Sequence, residues 1–235
     1  MALALKTIAT QATAEIALAG MAATLDLSGA LYLPEEDALV VADLHFEKGS
    51  SFARRGALLP PYDTRETIGP LAAAIERFRP GTVVALGDSF HDLDGPERLG
   101  AGEREAIALL QHGRDWVWIT GNHDRTLPAS IGGAVVAELT LGNLLLRHEP
   151  LAGASRELAG HLHPVGKVVM RGRAVRRRCF VTDGERCILP ALGAYAGGLN
   201  ACDPAIRSLF PKGFTAHLIG EGRLFAIGHT ILCRD

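Results

Sequence analysis

Three short apolar runs, each breaking into polar residues at its far end, do most to limit what this chain can become: "VVADLH" (40–45), "VVALGDSFHD" (83–92) and "WVWITGNHD" (116–124). Runs of Val, Ile, Leu and Trp this short, bounded by turn residues, read as buried strands. Helical patterns lie between them at Asp63–Arg79, opening on an Asp placed as an N-cap, and at Pro96–His112, with a Pro near its first turn. Strand, helix, strand, helix, strand predicts a parallel α/β beginning, and in such a sheet the carboxyl ends of the strands share one edge where ligands bind. The acids, amide and imidazoles of all three runs sit at that edge.

Those three strands are predicted at Ala38–Ala42, Thr82–Leu86 and Trp116–Thr120, and further ones at Asn143–Arg147, Val165–Met170, Ala174–Thr182 and Leu224–Ile227. Those of the second half follow one another closely with turns between them, so the expected fold class is α/β: a two-sheet β-sandwich flanked by helices, its later part more antiparallel. A length of 235 residues, 48% of them hydrophobic, suits one domain over 1–235 with a continuous core.

Composition excludes some partners. Lys and Arg total 24 against 26 Asp and Glu, so no global charge draws the chain to nucleic acid or anionic lipid, and such a contact must be local. The longest charge-free stretch, Cys187–Cys202, is interrupted by Pro190 and three glycines and is short for a membrane helix. The first twenty residues make a poor export signal. Four cysteines in no CxxC pair need no disulfide framework, and a cytoplasmic location is expected. Nothing in the sequence sets an oligomeric state.

The β-rich half adds "LLLRHEP" with His148 and "LAGHLHP" with His161 and His163. Residues i and i+2 of an extended segment point to one side, so Asp43 and His45 are expected to converge, as are His161 and His163. Each motif alone has an ordinary reading: a polar strand end, a Gly-Asp turn, an Asx turn or helix cap for Asp124. Their conjunction is harder to dismiss, because five of the nine histidines fall in four of these motifs.

The ordered series Asp43-x-His45, Gly87-Asp88, Gly121-Asn122-His123-Asp124, His148 and Gly160-His161-x-His163 resembles the calcineurin-like metallophosphoesterase superfamily. The phrases "DLHFEKGSSFARRG", "LPPYDT", "LGDSFHD" and "LGAYAGGLNACDPAI" resemble its bacterial subgroup named ligase-associated DNA damage response endonucleases, over most of the chain. The resemblance implies two metals: one on Asp43, His45 and His163, the other on Asn122, His148 and His161, with Asp88 bridging. Spacing alone would put His161 and His163 on the same metal. The resemblance also implies a DNA substrate and association with an ATP-dependent DNA ligase and a helicase. Two departures are visible: "GDSFHD" inserts His91 and moves the second acid to Asp92, and Arg147 stands before His148 where many members have Gly.

Carboxylate, amide and imidazole donors without thiolate suit Mn²⁺ first, with Fe or Zn²⁺ as alternatives, over Ca²⁺. Two such divalent ions activate water and neutralise phosphoryl oxygens. His123, left without a metal, is assigned to the leaving oxygen, with Asp124 holding its ring. Arg54 and Arg55 either reach a substrate phosphate or cap a loop. "MRGRAVRRRC" puts Arg171, Arg173, Arg176, Arg177 and Arg178 in one predicted hairpin, read either as a solvated strand or as a phosphate-binding patch. A metal-dependent phosphodiesterase or nuclease in DNA repair is therefore expected, with a phosphatase or nucleotide phosphohydrolase of small substrates, or a non-catalytic scaffold, as alternatives. His91, His112, His217 and His229 are read as surface or core residues.

Overall fold

A computed structural model describes residues 12–170 and 172–235; residues 1–11, on which the export-signal reading partly rests, and Arg171 of the basic run lie outside them. The first sheet has seven strands in chain order: β1 (Thr13–Leu18), β2 (Met21–Asp26), β3 (Leu31–Leu33), β4 (Ala38–Val41), β5 (Thr82–Leu86), β6 (Asp115–Ile119) and β7 (Ala134–Val136). Strands β4 to β7 are parallel, as the strand-helix alternation predicts. An antiparallel meander, β1 to β3, extends the sheet beyond β4 and was not foreseen. Its first hairpin turns on Ala19 and Gly20, both with positive φ. That is the primed two-residue turn favoured by strand twist, here without the Asn-Gly or Asp-Gly pair that would have announced it.

The second sheet has nine strands: β8 (Leu139–Leu141), β9 (Leu144–Arg147), β10 (Glu157–Ala159), β11 (Pro164–Met170), β12 (Arg173–Thr182), β13 (Cys187–Ile188), β14 (Leu199–Asn200), β15 (Thr215–Ile219) and β16 (Leu224–Gly228). Spatial order is β14-β11-β12-β13-β10-β9-β8, with β15 on β12 and β16 on β15. Its hairpins are antiparallel, yet β10 runs parallel to β9 and β13, and β11 to β14.

Helices are α1 (Lys48–Arg54), α2 (Asp63–Phe78), α3 (Gly95–Arg98), α4 (Ala101–Gln111) and α5 (Pro204–Arg207). The single helix expected over Pro96–His112 is two, because Leu99 and Gly100 are extended (ψ 127° and 158°) between them. Period-2 alternation in β4 assigns its two faces. Val40 turns to the inner core, where Leu18, Leu25, Leu86 and Ile119 meet Leu146, Leu158, Phe180 and Leu189 of the second sheet. Leu39 and Val41 turn outward to Leu71 and Ile75 of α2 and Ile107 of α4. The far face of the second sheet is covered by Ile206, Leu209, Phe210 and Phe214. The architecture is thus the expected two-sheet sandwich with helices outside. No helix among the described residues is long and apolar enough to cross a membrane.

Candidate metal centre

Strands β4, β5 and β6 stop at Val41, Leu86 and Ile119, and Asp43, His45, Asp88, Asn122, His123 and Asp124 follow in the loops beyond. Those loops stay joined past the sheet: the His45 amide donates to the Asp88 carbonyl at 2.9 Å and the Phe46 amide to that of Ser89 at 2.8 Å. From the second sheet, the loop after β9 brings His148, and the link between β10 and β11 brings His161 and His163. The Gly160 amide donates to the His148 carbonyl at 3.0 Å, tying those two segments together.

The extended i, i+2 arrangement expected for these pairs is corrected. Asp43, His45, Asp88, His161 and His163 all lie in the left-handed region, with φ of 52°, 46°, 45°, 68° and 44°. Non-glycine residues there cost of order 1–3 kcal/mol each and persist only where the surroundings over-determine them. Here the carboxylates themselves do so: Asp43 accepts the His161 amide at 3.0 and 3.1 Å, and Asp88 accepts the His123 amide at 2.9 Å.

The donors form two groups, Asp43–His45–His163 and Asp88–His148–His161, with the ligand atoms of each within 4.8 Å of one another. In the first, His45 Nε2 is 3.2 Å from His163 Nε2, which is 3.3 Å from Asp43 Oδ1. In the second, His148 Nε2 has Asn122 Oδ1 at 2.9 Å, His161 Nδ1 at 3.1 Å and Asp88 Oδ2 at 3.4 Å. His161 and His163 therefore fall in different groups, against the spacing rule and as the resemblance implies. Two imidazole pairs packed nitrogen to nitrogen around buried carboxylates, with His45 Nδ1 buried and unpartnered, offer more lone pairs than protons. That donor set fits two divalent cations.

Protonation tells the same story. Burial pushes the His148 imidazole down, but the hydrogen bond to Asp88 and the charges of Asp43 and Asp88 outweigh it and lift it to about 9. Burial pushes Asp88 up, but His148 and the His123 amide overcome it and bring it to about 2. Burial and the neighbouring His163 take His45 down to about 2, and burial with His148 lowers His161. Without metal, one proton on His148 stands where positive charge is wanted.

His123 is half-buried, its Nδ1 2.8 Å from the His91 carbonyl oxygen. A carbonyl only accepts, so Nδ1 donates and Nε2 is left facing the centre, 3.9 Å from Asp88 Oδ2. The expectation that Asp124 holds this ring is corrected. The Asp124 carboxylate accepts from three backbone amides, Gly121 at 2.9 Å, Phe90 at 3.0 Å and Asp88 at 3.1 Å, and so clamps the loops carrying Asp88 and Asn122. Burial lifts it to about 6 against the pull of those donors.

His91, read as surface or core, instead stacks on His123 (centroids 5.1 Å, planes 26° apart). Its Nδ1 is buried without a partner, and burial with the Lys48 charge lowers it to about 4. Its position as an insertion in "GDSFHD" was the available signal. His217 and His229 line a separate hollow in the second sheet.

A cleft of about 760 Å³ opens beside the centre, lined by Arg54, Arg55, His91, Asn122, His123 and Arg125 among others. Arg54 pairs with Asp94 at 2.8 Å, but both are well exposed, so the pair holds little. Arg125 was missed by the sequence reading, although it directly follows Asp124. The two departures have structural uses: Asp92 accepts from Arg98 at 2.9 Å, and Arg147 lies 3.1 Å from Glu138 and 3.5 Å from Glu157. Glu157 also pairs with the buried Arg186 and takes the Leu151 amide at 3.1 Å, anchoring the strand end that presents His148.

No protein-family model and no curated protein matches the chain. Among solved structures, the nuclease MPE of Pseudomonas putida superposes with a TM-score of 0.72 and 30% identity, over 92% of this chain and 100% of that one. A phosphoesterase from E. coli, YfcE, aligns over 83% of this chain and 98% of its own, but at 15% identity and a TM-score of 0.39.

Proposed function

The chain belongs to the metallophosphoesterase family, and from that premise we propose that it is a two-metal phosphodiesterase acting on nucleic acid, a nuclease serving DNA repair, with Mn²⁺ as the preferred ion. The observation that carries this reading is the pair of His/carboxylate groups meeting at one sheet edge beside a cleft rimmed by three guanidinium groups. Asp43, His45 and His163 would hold one ion and Asn122, His148 and His161 the other, with Asp88 between them. Bound there, such ions supply Lewis acidity at phosphoryl oxygen and water acidified towards neutrality.

The remaining steps belong to side chains. The His91 carbonyl fixes the His123 ring through Nδ1–H, and His123, entering the step as the imidazolium, gives its Nε2 proton to the departing oxygen and is left neutral. Asp124, by gripping three amides, keeps the Asp88 and Asn122 loops in register. Arg54 and Arg55 grip phosphate oxygens next to the scissile bond, where a guanidinium fork suits paired oxygens. The test is hydrolysis of bis-(p-nitrophenyl) phosphate against p-nitrophenyl phosphate by chelator-treated protein given back Mn²⁺, Fe²⁺ or Zn²⁺. Metal-dependent cleavage favouring the diester is expected. Preference for the monoester overturns the diesterase, and no cleavage with any ion overturns the chemistry.

A further inference from the structure

The β11–β12 hairpin is built unlike the rest of the sandwich. Residues Arg173 to Arg177 are all exposed, whereas Cys179 to Thr182 of the same strand are buried. Successive strand residues face opposite sides, so five exposed in a row means that β12 stands open on both faces there, while Val165 and Val168 of β11 opposite stay buried and the ribbon leaves the sandwich as an arm only beyond Val168. Val169 and Val175 on it are 55% and 37% exposed.

Its charge is as one-sided as its exposure. Pro164–Arg178 holds six basic residues and no acidic one, in a chain of net charge -2. Lys167 lies directly across from Arg176, a like-charge pairing that disfavours the sheet by itself. Arg176 is partly compensated by Asp235 at 3.3 Å and the Gly198 carbonyl at 2.7 Å. Arg178 turns inward to the Ala191 carbonyl at 2.6 Å. Arg173 and Arg177 meet no carboxylate among the described residues. At the base of the arm, a hollow of about 390 Å³ is lined by Arg176, Arg177, Arg178 and Gly198. Gly198 abuts the backbone of the segment that carries His163: a Cβ there would stand 2.9 Å from the His163 carbonyl oxygen.

From these observations we infer that the hairpin docks duplex DNA flanking the strand held at the metals, an inference that rests on the nuclease reading above. Strand β11 begins one residue after His163, and although Pro164, Val165, Gly166 and Val168 are buried in the sandwich, its seven residues put the exposed end of the hairpin roughly 20 Å from His163 at about 3.3 Å per residue. That is on the order of six base pairs at about 3.4 Å each. A two-stranded ribbon fits the major groove. The arm bears no aromatic side chain between Pro164 and Arg178, so it offers phosphate contacts and not the stacking platform a bare single strand would need.

The test uses the full metal-loaded protein and two labelled ligands of equal length: a duplex with a single-stranded tail, and a wholly single-stranded oligonucleotide. Both carry hydrolysis-resistant linkages, and affinity is followed between 50 and 200 mM salt. Two phosphate contacts on duplex correspond to a slope of about 1.8 in log K against log salt. Over that range the wild type should lose roughly tenfold more affinity for the tailed duplex than R173A/R177A does, while single-strand binding changes less than twofold. R173E/R177E should weaken duplex binding further. An unchanged duplex slope, or equal loss on the single strand, overturns the docking arm. Small-diester hydrolysis by the wild type judges the nuclease reading separately, because a protein that binds duplex through the arm yet cleaves no diester sinks that reading alone.

Discussion

Gly121 is the sharpest place to perturb the centre. A Cβ built there would stand 2.2 Å from Asp88 Oδ1, 2.3 Å from the Asp88 backbone nitrogen and 2.9 Å from Asp124 Oδ1, where ordinary contact begins at 3.4 Å. The carboxylate oxygen is kept from swinging aside by the His123 amide that donates to it, and the backbone nitrogen is held by its own donation to Asp124. Gly121→Ala must therefore push Asp88 by about 1 Å, and a misplacement of that size costs on the order of 10²-fold in rate. Overpacking adds about 1–3 kcal/mol of instability, or roughly 2–12 °C in Tm for a chain of this size. Metal content by mass spectrometry, diester turnover and thermal melting read the three consequences. Gly102→Ala is the control: Gly102 sits exposed in α4 with nothing within 4 Å, and alanine there should stabilise by about 0.4–1 kcal/mol. Full metal content and a rate within threefold of wild type in Gly121→Ala would refute the claim that Gly121 is required by the close approach of Asp88.

Two further outcomes follow from the site. His123→Ala should keep both metals and lower turnover on a nucleic-acid diester by about 10²–10⁴-fold; unchanged turnover removes His123 from proton transfer. In metal-free protein His148 is raised from 6.5 to about 9, so below that pH it holds a proton that ligation must expel. Metal affinity should then rise about tenfold per pH unit from 6.5 towards 9. Calorimetry in buffers of different ionisation heat should detect one proton released near neutrality, and none released would sink the assignment. The same raised group stabilises the metal-free fold fully below 6.5 and loses that contribution as pH climbs through 9, so the chelated protein should melt lower at pH 9 than at 6.5.

Much of the site could be read from the chain because a metal ligand must be polar where a strand has just ended in apolar residues. That contrast singles out Asp43, Asp88 and Asn122 without any coordinates. Contacts made by main-chain atoms leave no such mark: the carbonyl of His91 that orients His123, and the three amides that occupy Asp124, look in sequence like any other turn. Arg125 carried no pattern beyond its place after Asp124. In the fold, β4, β5 and β6 were legible as continuous apolar runs buried on both faces, while β1 to β3 rest on a turn with no diagnostic pair and the α3–α4 break depends on two extended residues inside a helical period.

The failure of the i, i+2 rule at His161 and His163 shows how backbone strain bears on function. Had the link between β10 and β11 been extended, both rings would have pointed to one side and crowded one group of donors. With both residues left-handed (φ 68° and 44°), His161 reaches His148 at 3.1 Å while His163 reaches His45 at 3.2 Å. Two neighbouring histidines thus serve two different groups. The same conformation at Asp43 and Asp88 turns their carboxylates towards those groups while Leu44, between two left-handed residues, stays wholly buried in the core. The strain, of order 1–3 kcal/mol at each position, is opposed by hydrogen bonds from the His161 and His123 amides to those same carboxylates. The second sheet therefore does more than cover the core: it lends the amide that holds Asp43 in place, and a centre assembled in this way requires both sheets to be docked before any ligand is aimed.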